Sequence, residues 1–521
     1  MKNHLKRDKV LADWTAGYIA NIDYTYGYYQ ELNPLRAQLA LLNQGLVYPE
    51  VKTACELGYG QGLAINLHAA TSSTRWYGTD FNPTQASFAQ ELAIVSGAPV
   101  SLYSDSFSEF CLRDELPGFD FISLHGVWSW ISDENRQVIV DFISKKLNVG
   151  GLLYISYNTL PGWASFAPIR HLMSLHTERM GAQGSGIVNR IDDAVDFAKN
   201  LLDKKPEYSL ANPLVSQRLE HLSTQNRHYL AHEYFNRDWE PMHFASVADW
   251  LESAKISYAC SAHYLDDFES INVSPQQQEF LKSIPDKKLR ESTKDFMTNQ
   301  VFRRDYWVKG PRKLSKLEQQ ESFRALRIAS LKPRSDMGLT LKDGNRKINL
   351  NKDIYNPILD LLADHAHISL GELERELHSQ NVSLSQIVQA VMLLSDCGHV
   401  SGVCELNADA PTREKADALN SFLLKRSRSS GDIIYLASPA TAGGVNLNRP
   451  SQLFLSAYRS GEKNPEGLAR NVWQVLFEQG ERLVEDGKTL ETEAENIAAL
   501  SKQASLFLTE RLPILKSLQI V

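Results

Sequence analysis

The chain has 521 residues, of which 43% are hydrophobic and 22% charged, and its formal net charge is −7. This length and composition predict roughly two to four globular domains. The acidic balance argues against a general nucleic-acid-binding protein. Five scattered cysteines without a C-x-x-C pair indicate neither a disulfide framework nor a zinc cluster. Because the N-terminus lacks the apolar core of a signal peptide and no apolar run approaches about 18 residues, we expect a cytoplasmic protein without a membrane span.

Tyrosines are concentrated in residues 1–50, ahead of a short helix. The helix is predicted over Pro34–Asn43, where leucines recur on one face. Residues 1–50 are therefore predicted to form an N-terminal cap, whose rings either line a site or only pack against the helices. These tyrosines are Tyr18, Tyr24, Tyr26, Tyr28 and Tyr29.

Residues 51–80 follow a strand–turn–helix–strand pattern. A strand ends near Glu56, a glycine-rich turn follows, and an apolar helix is predicted over Leu63–Ala70. A second strand, Trp76–Gly78, leads to Asp80, which lies 24 residues after Glu56. This pattern is typical of the first β-α-β unit of an open parallel sheet, with a nucleotide site at the strand ends.

The glycine turn does not fit the dinucleotide fingerprint G-x-G-x-x-G, because Leu63 or Ile65 occupies the last position. The pattern E-x-G-x-G-x-G instead resembles motif I of class I S-adenosylmethionine (AdoMet) methyltransferases. The resemblance implies AdoMet as the cofactor, with the glycines allowing close approach of its amino-acid half and Asp80 accepting hydrogen bonds from both ribose hydroxyls. The alternative is an ordinary β-α turn with a surface aspartate. The motif residues are Glu56, Gly58, Gly60 and Gly62.

The sheet is predicted to continue through residue 165, so that 51–165 form the cofactor-binding core. A capped helix over about 84–95 precedes the third strand, Val100–Tyr103, and an acid after this strand commonly faces the adenine amino group in the class. Asp105 is therefore expected to contact the cofactor, or else to cap a helix. Further predicted cofactor contacts are Phe81, Ser106 and His125.

Aromatic and polar residues follow the fourth strand, Phe119–Leu124, and the fifth, Leu152–Tyr157. They lie at the edge where the methyl group of AdoMet is expected. Aromatic walls would favour a neutral amine and hold a methylated one, Asn158 would orient the amine, and His125 or His232 would relay its proton. Some of these rings could instead belong to the core. The predicted catalytic residues are Asn158, Trp128, Tyr157, His125, His232 and Trp163.

Residues 166–240 are predicted to form a helical insertion on the substrate side. His228, His232 and Glu233 have the order H-x-x-x-H-E rather than H-E-x-x-H, so no metal site is expected. A helix and strand within 244–264 and a strand at Phe302–Val308 indicate that the sheet is completed within residues 241–312.

The last third of the chain is predicted to contain a linker and two further domains. Residues 313–335 are rich in Lys and Arg and indicate a solvated linker, and 406–521 indicate a mainly helical domain. Residues 336–405 show three helices and a wing, a winged-helix pattern. The third helix has no Lys or Arg, so we expect a protein-interaction or packing role rather than groove binding. The predicted helices are Ile354–Leu362, Leu370–His378 and Leu384–Ser395.

Taken over nearly its whole length, the chain resembles bacterial methyltransferases that carry a methyltransferase regulatory domain, including protein-lysine methyltransferases acting on outer-membrane proteins. The resemblance implies an α/β fold and N-methylation of protein lysine. A small-molecule or RNA-base methyltransferase and an AdoMet-binding regulatory scaffold stay open as alternatives. One departure is Gln30-Glu31-Leu32-Asn33-Pro34, where the family tends to have Thr-His-Pro. The motifs are E-L-G-Y-G-Q-G, L-H-G-V-W-S-W, S-Y-N-T-L-P-G-W, Y-L-A-H-E-Y-F and F-R-R-D-Y-W-V-K-G.

Overall fold

A computed structural model describes residues 25–180, 186–225, 227–343, 346–363, 367–404 and 408–521. Tyr18 and Tyr24 of the predicted aromatic cap lie outside the described residues, as does the side chain of His228.

A seven-stranded sheet forms the centre of the N-terminal two-thirds, with strand order β3-β2-β1-β4-β5-β7-β6. Neighbours from β3 to β5 run parallel, whereas β7 is antiparallel to both β5 and β6. The strands are β1 Thr53–Leu57, β2 Arg75–Thr79, β3 Val100–Tyr103, β4 Phe119–Leu124, β5 Leu147–Asn158, β6 Ile256–Ser261 and β7 Phe302–Lys309.

Helices cover both faces of this sheet, which explains why its inner strands are apolar at consecutive positions. Phe121 and Tyr154 pack into one hydrophobic cluster, while Ile122 and Leu153 point the other way into a second. The helices are α1 Pro34–Asn43, α2 Leu63–Thr71, α3 Pro83–Ser96, α4 Phe107–Phe110, α5 Asp133–Lys146, α6 Ala167–Arg179, α7 Ile187–Asp203, α8 Glu207–Ala211, α9 Leu214–Ser223, α10 Arg227–Tyr234, α11 Phe244–Glu252, α12 Tyr264–Asp267, α13 Glu269–Asn272, α14 Pro275–Lys282 and α15 Lys287–Thr298.

The helical insertion has a hydrophobic cluster of its own. Helices α6 to α10 follow β5, and the sheet resumes with α11, β6 and β7. Trp163, Phe166, Met173, Val195 and other buried residues of the insertion pack together. The predicted α/β sheet with a helical insertion is therefore confirmed.

Residues 313–335, which were predicted to be a solvated linker, contain regular secondary structure. They contain a helix, α16 Lys316–Ala325, and a strand, β8 Arg327–Ser330. Ser315 starts the helix with a capping box to Glu318, and Ile328 and Ala329 are buried. The high Lys and Arg content did not exclude a helix, because an amphipathic helix carries its charged residues on the exposed face and packs its other face against the protein.

A module of three helices and a three-stranded sheet follows, in which β8 pairs with both β11 and β12. Its helices match the three predicted ones to within two residues at each end. The module contains β9 Thr340–Asp343, β10 Arg346–Asn349, α17 Lys352–Leu361, β11 Ile368–Ser369, α18 Leu370–Glu376, α19 Leu384–Asp396 and β12 Val400–Val403.

The C-terminal region packs against helix α2 of the cofactor-binding core. Leu63 and Leu67 of α2 share a hydrophobic cluster with Leu436 and Val445. Among the described residues, no helix is long and apolar enough to cross a membrane. The C-terminal elements are α20 Ala410–Arg426, β13 Tyr435–Ser438, β14 Gly443–Asn446, α21 Arg449–Arg459, α22 Pro465–Glu478, β15 Val484–Glu485, β16 Lys488–Thr489, α23 Glu493–Leu506 and α24 Leu512–Ser517.

Candidate cofactor and acceptor site

Asp80 and the glycine loop meet at the carboxyl ends of β1 and β2. One carboxylate oxygen of Asp80 accepts the backbone N–H of Gly60 at 2.9 Å, and the other accepts that of Asn82 at 3.0 Å. Burial raises the pKa of Asp80 to about 6. Each oxygen retains a further lone pair that a ligand hydroxyl can use.

Glu56 lies beside Asp80 as a second buried carboxyl group. Its side chain is 3% exposed, and Oε2 has no hydrogen-bond partner among the described residues. Burial, with a smaller contribution from the charge of Asp80, raises the pKa of Glu56 to about 8. A buried acceptor of this kind suits a cationic donor, because a positive group would pair with the charge and satisfy the oxygen.

The loop between these carboxyls requires glycine at two positions. Gly58 has φ +76°, and a Cβ there would lie 2.5 Å from the Val127 side chain. Gly62 has φ +69°, and its Cβ would lie 2.3 Å from that of Ala89. The loop therefore follows a left-handed path close to the end of β4, which a larger residue would block.

The predicted contacts after β3 have partners of their own. Asp105 pairs with Arg113 at 2.6 Å through one oxygen, which leaves its second oxygen for an amino group. Ser106 caps α4 in a capping box with Glu109, so its hydroxyl already serves the helix. Phe81 is partly buried directly after Asp80.

His125, at the carboxyl end of β4, is held between two tyrosines. Its ring stacks on Tyr29 with 3.6 Å between centroids, and its Nδ1 lies 2.8 Å from the Tyr154 hydroxyl. Burial lowers the pKa of His125 to about 4. The imidazole is therefore neutral near pH 7 and a weak base, which does not favour the predicted relay of an amine proton.

Trp128 and Tyr157 belong to the hydrophobic cluster on the other face of the sheet, and both are 0% exposed. The Tyr157 hydroxyl donates to Asp305 at 2.8 Å, and Arg303 pairs with the same carboxylate. Trp128 packs against Trp250. These contacts favour a packing role, and acceptor contacts by either ring stay a prediction.

Asn158 ends β5 with an amide that is buried but incompletely bonded. Its backbone N–H donates to the Ser129 hydroxyl, and its carbonyl accepts from Met242. The side chain is 3% exposed, and its Nδ2 has no partner among the described residues. Asn158 therefore keeps a donor that a ligand can use, as do the buried indole nitrogens of Trp128 and Trp163.

Trp163 and His232 lie in the helical insertion rather than beside His125. Trp163 belongs to the insertion's hydrophobic cluster, and Arg218 lies 3.9 Å above its ring. His232 is buried on α10. The predicted aromatic residues are therefore divided between two hydrophobic clusters, Trp128 and Tyr157 in one and Trp163 in the other.

Sequence reasoning missed the polar contacts that hold the N-terminal segment beside His125. Glu31 pairs with Arg304 of β7 at 2.9 Å, and its backbone carbonyl accepts from the Tyr306 hydroxyl. Burial alone would raise the pKa of Glu31, but Arg304 and other nearby cations lower it. The signal available was the unusual R-R-D-Y run within a buried strand.

A cavity of about 1110 Å³ lies on the other side of this segment. Tyr29, Glu31 and Arg36 line it from the N-terminal side, and Asp396 and Val445 from the C-terminal modules. Because Tyr29 also stacks on His125, the cavity approaches the carboxyl end of β4.

Comparison with known proteins identifies relatives along the whole chain. The protein sll1526 of Synechocystis, itself named as uncharacterized, is 38% identical over 513 residues, covering 97% of this chain and 99% of that protein. The chain belongs to the same family as sll1526. A second relative, RP789 of Rickettsia prowazekii, is 26% identical over 283 residues and covers 53% of this chain and 49% of that protein.

Residues 226–309 match the family described as "Predicted methyltransferase regulatory domain". The resemblance to methyltransferases with such a domain is thereby confirmed. PKMT2 from Rickettsia typhi, solved in complex with AdoHcy, has a TM-score of 0.71 and 17% identity, covering 96% of this chain and 100% of that chain. At that identity the match shows a shared fold, and the class I methyltransferase fold predicted for this chain is confirmed.

Proposed function

We propose that the protein is an AdoMet-dependent methyltransferase. The observation that carries this proposal is the pair of buried carboxyl groups at the ends of β1 and β2: Asp80 holds the glycine loop, while Glu56 has an oxygen without a partner among the described residues. An ammonium group fits Glu56, and a pair of ribose hydroxyls fits Asp80. The regulatory-domain match and the AdoHcy bound by the similar Rickettsia protein support the same cofactor.

Bound AdoMet would supply a methyl group on a sulfonium, which is already an activated leaving group. The chain then has to place a neutral acceptor in line with that methyl group and keep water out. Glu56, the glycine loop, Asp80 and Asp105 would hold the cofactor. Asn158, at the end of β5, would orient the acceptor by accepting a hydrogen bond from its amine through Oδ1.

For the acceptor, we propose the side-chain amine of a protein lysine. The resemblance to protein-lysine methyltransferases supports this choice. About 99.9% of lysine is protonated near neutral pH, so the amine must lose a proton to water or a nearby group before it reacts.

The test is incubation of the full chain with methyl-labelled AdoMet and a bacterial lysate, followed by mass spectrometry of proteins, RNA and small molecules. The expected result is labelled methyl-lysine in protein. Label only in RNA or small molecules would contradict the lysine acceptor. Binding of AdoMet without turnover would indicate a regulatory scaffold, and binding of NAD instead of AdoMet would exclude the proposed cofactor.

A further inference from the structure

An arginine occupies an aromatic cage in the helical insertion. The cage consists of Trp163, Phe166 and Tyr234, whose ring centroids lie 6.2 Å (Trp163–Phe166), 5.7 Å (Trp163–Tyr234) and 6.1 Å (Phe166–Tyr234) apart. The guanidinium carbon of Arg218 lies 3.9 Å from the centre of Trp163 and 4.6 Å from that of Phe166. The charge of Arg218 also acts on the Tyr234 hydroxyl, where it opposes the rise in pKa that burial causes.

Most other arginines that lie over rings in this protein also pair with a carboxylate. Among the described residues, the Arg218 guanidinium instead lies over Trp163 and Phe166, close to Tyr234, without an ion pair to a carboxylate. The aromatic faces are therefore what holds this cation, by cation–π attraction. The arginines with carboxylate partners are Arg36 over Tyr264, Arg113 over Tyr103, Arg136 over Trp128, Arg303 over Phe244 and Arg304 over Phe302.

The guanidinium closes the solvent side of the cage. Trp163, Phe166 and Tyr234 are 4%, 0% and 7% exposed, whereas Arg218 is partly exposed on α9. Trp239 packs against the far side of Trp163, with 5.0 Å between centroids. Removal of the Arg218 side chain would thus open a site with three aromatic walls, which is the arrangement that recognises alkylated ammonium groups.

A short segment of the chain connects the cage to Asn158 at the end of β5. The backbone N–H of Trp163 donates to the Thr159 carbonyl, and the backbone N–H of Thr159 donates to the Val301 carbonyl next to β7. The preceding residue is Asn158, whose buried Nδ2 has no partner among the described residues. One short segment therefore joins an unsatisfied amide, which would bind an oxygen, to a cage that binds cations.

We propose that the cage binds the ammonium group of a lysine or methylated lysine side chain of the substrate, and that Arg218 is an internal cation that this group displaces. The proposal rests on the proposed function and names a substrate subsite for it. Methylation makes an ammonium larger and less hydrated, so the cage should prefer trimethyl-lysine to lysine. Displacement moves Arg218 into solvent and involves no covalent step.

The test measures binding of Nα-acetyl-trimethyl-lysine amide to the full chain by tryptophan fluorescence and by the indole NMR signal of Trp163. Arg218→Gln removes the competing cation, so we expect affinity at least about tenfold higher than in the wild type and a shifted Trp163 signal. In the double variant with Trp163→Leu the binding should be lost. The matched control is Arg426→Gln, since Arg426 also lies over two rings, at 5.2 and 5.1 Å, and donates to a tyrosine hydroxyl. This control should bind as the wild type does.

Equal affinity in the wild type and Arg218→Gln, with no response of the Trp163 signal, would overturn the proposal and leave Arg218 as a packing residue. If Arg218→Gln does not fold by circular dichroism, Arg218→Met, which keeps the aliphatic stem, gives the same comparison. The assay needs no AdoMet. If the protein forms methyl-lysine but the Trp163 signal does not respond to the ligand, this inference alone is overturned. If the Trp163 signal responds but the protein methylates no lysine, the cation subsite is supported and the proposed lysine acceptor is contradicted.

Discussion

Asp396 and Arg36 form a buried ion pair that joins α19 to α1 across 360 residues of sequence. The same carboxylate accepts from His263 at 2.9 Å and from the backbone of Leu265 at 2.6 Å. Burial would raise the pKa of Asp396, but His263 and Arg36 hold it well below its usual range. The pair therefore anchors the three-helix module to the segment that carries Tyr29 and Glu31.

Replacing Asp396 by Asn should destabilise the protein strongly, because it leaves the buried Arg36 guanidinium without its counter-charge. We expect the free energy of unfolding to fall by about 3 kcal/mol, measured by urea denaturation. The control is Asp417→Asn, since Asp417 pairs with Arg459 but its side chain is 58% exposed, and such pairs contribute about 0–1 kcal/mol. Equal losses in the two variants would contradict the anchoring role.

Asp80→Asn should weaken AdoMet binding by about tenfold or more, because a charge-assisted hydrogen bond contributes roughly 1.5–3 kcal/mol. Calorimetry measures the change. Asp120→Asn is a matched control, since Asp120 also accepts backbone N–H groups, from Lys52 and Thr53. These lie at the start of β1, at the opposite end of the strands from the proposed cofactor site. If both variants bind AdoMet as the wild type does, Asp80 is not a cofactor residue.

Cofactor binding should release a proton from Glu56. The pKa of Glu56 is raised to about 8 in the free protein, so the group is largely protonated at pH 7, and a nearby ammonium would favour the carboxylate. Affinity should therefore rise with pH up to about 8. Calorimetry in buffers of different ionisation enthalpy measures the proton. In Glu56→Gln, only protons from the ligand or from other residues can be released on binding. If this variant releases as much proton as the wild type, the proton does not come from Glu56.

Asn158→Ala should lower turnover by roughly tenfold while changing AdoMet affinity far less, because the amide is proposed to orient the acceptor. Steady-state kinetics and calorimetry separate the two effects. Asn148, at the other end of β5, donates to Asp120, and Asn148→Ala should leave turnover unchanged. Parallel losses of binding and turnover in Asn158→Ala would place Asn158 among the cofactor contacts.

His68 should make the fold sensitive to acid. Its ring is buried between Tyr28 and Trp76, its Nδ1 lies 3.2 Å from the Ala442 carbonyl, and burial lowers its pKa to about 4. Between pH 6.5 and 4 the unfolded chain binds this proton and the folded chain does not, so stability falls as the pH falls, by about 1.4 kcal/mol per unit.

His68→Gln should flatten that pH dependence of unfolding, whereas substitution of the exposed His171 by Gln should not. Chemical denaturation at several pH values measures both. An unchanged slope in His68→Gln would mean that the acid sensitivity arises at another buried group.

The cofactor half of the site could be predicted from sequence because its geometry is local. Strands β1 and β2 lie within residues 51–80, and the carboxyl ends of adjacent parallel strands meet at one edge of a sheet. Glu56, the glycine loop and Asp80 therefore had to lie close together once the two strands were recognised. The structure agrees, with Asp80 2.9 Å from the Gly60 nitrogen.

The acceptor half could not be predicted in the same way. In a sheet covered on both faces, consecutive apolar residues do not reveal which face each ring will join. Tyr157 is buried against Asp305, and Trp163 belongs to the separate cluster of the insertion, although only five residues separate them. Their partners come from β7 and α9, so only the packing of distant segments assigns each ring to its surroundings.

By itself the sequence determined the open α/β sheet, the glycine loop with its carboxylates, the helical insertion and the three-helix module, because periodicity, caps and turns are properties of short windows. Only the tertiary structure decided what covers α2, where Asn66 and His68 are as buried as the leucines. The Ala442 carbonyl that meets His68 is 374 residues away. A buried polar group needs a partner, and no local pattern identifies a partner that the chain brings in only when its last domain packs against its first.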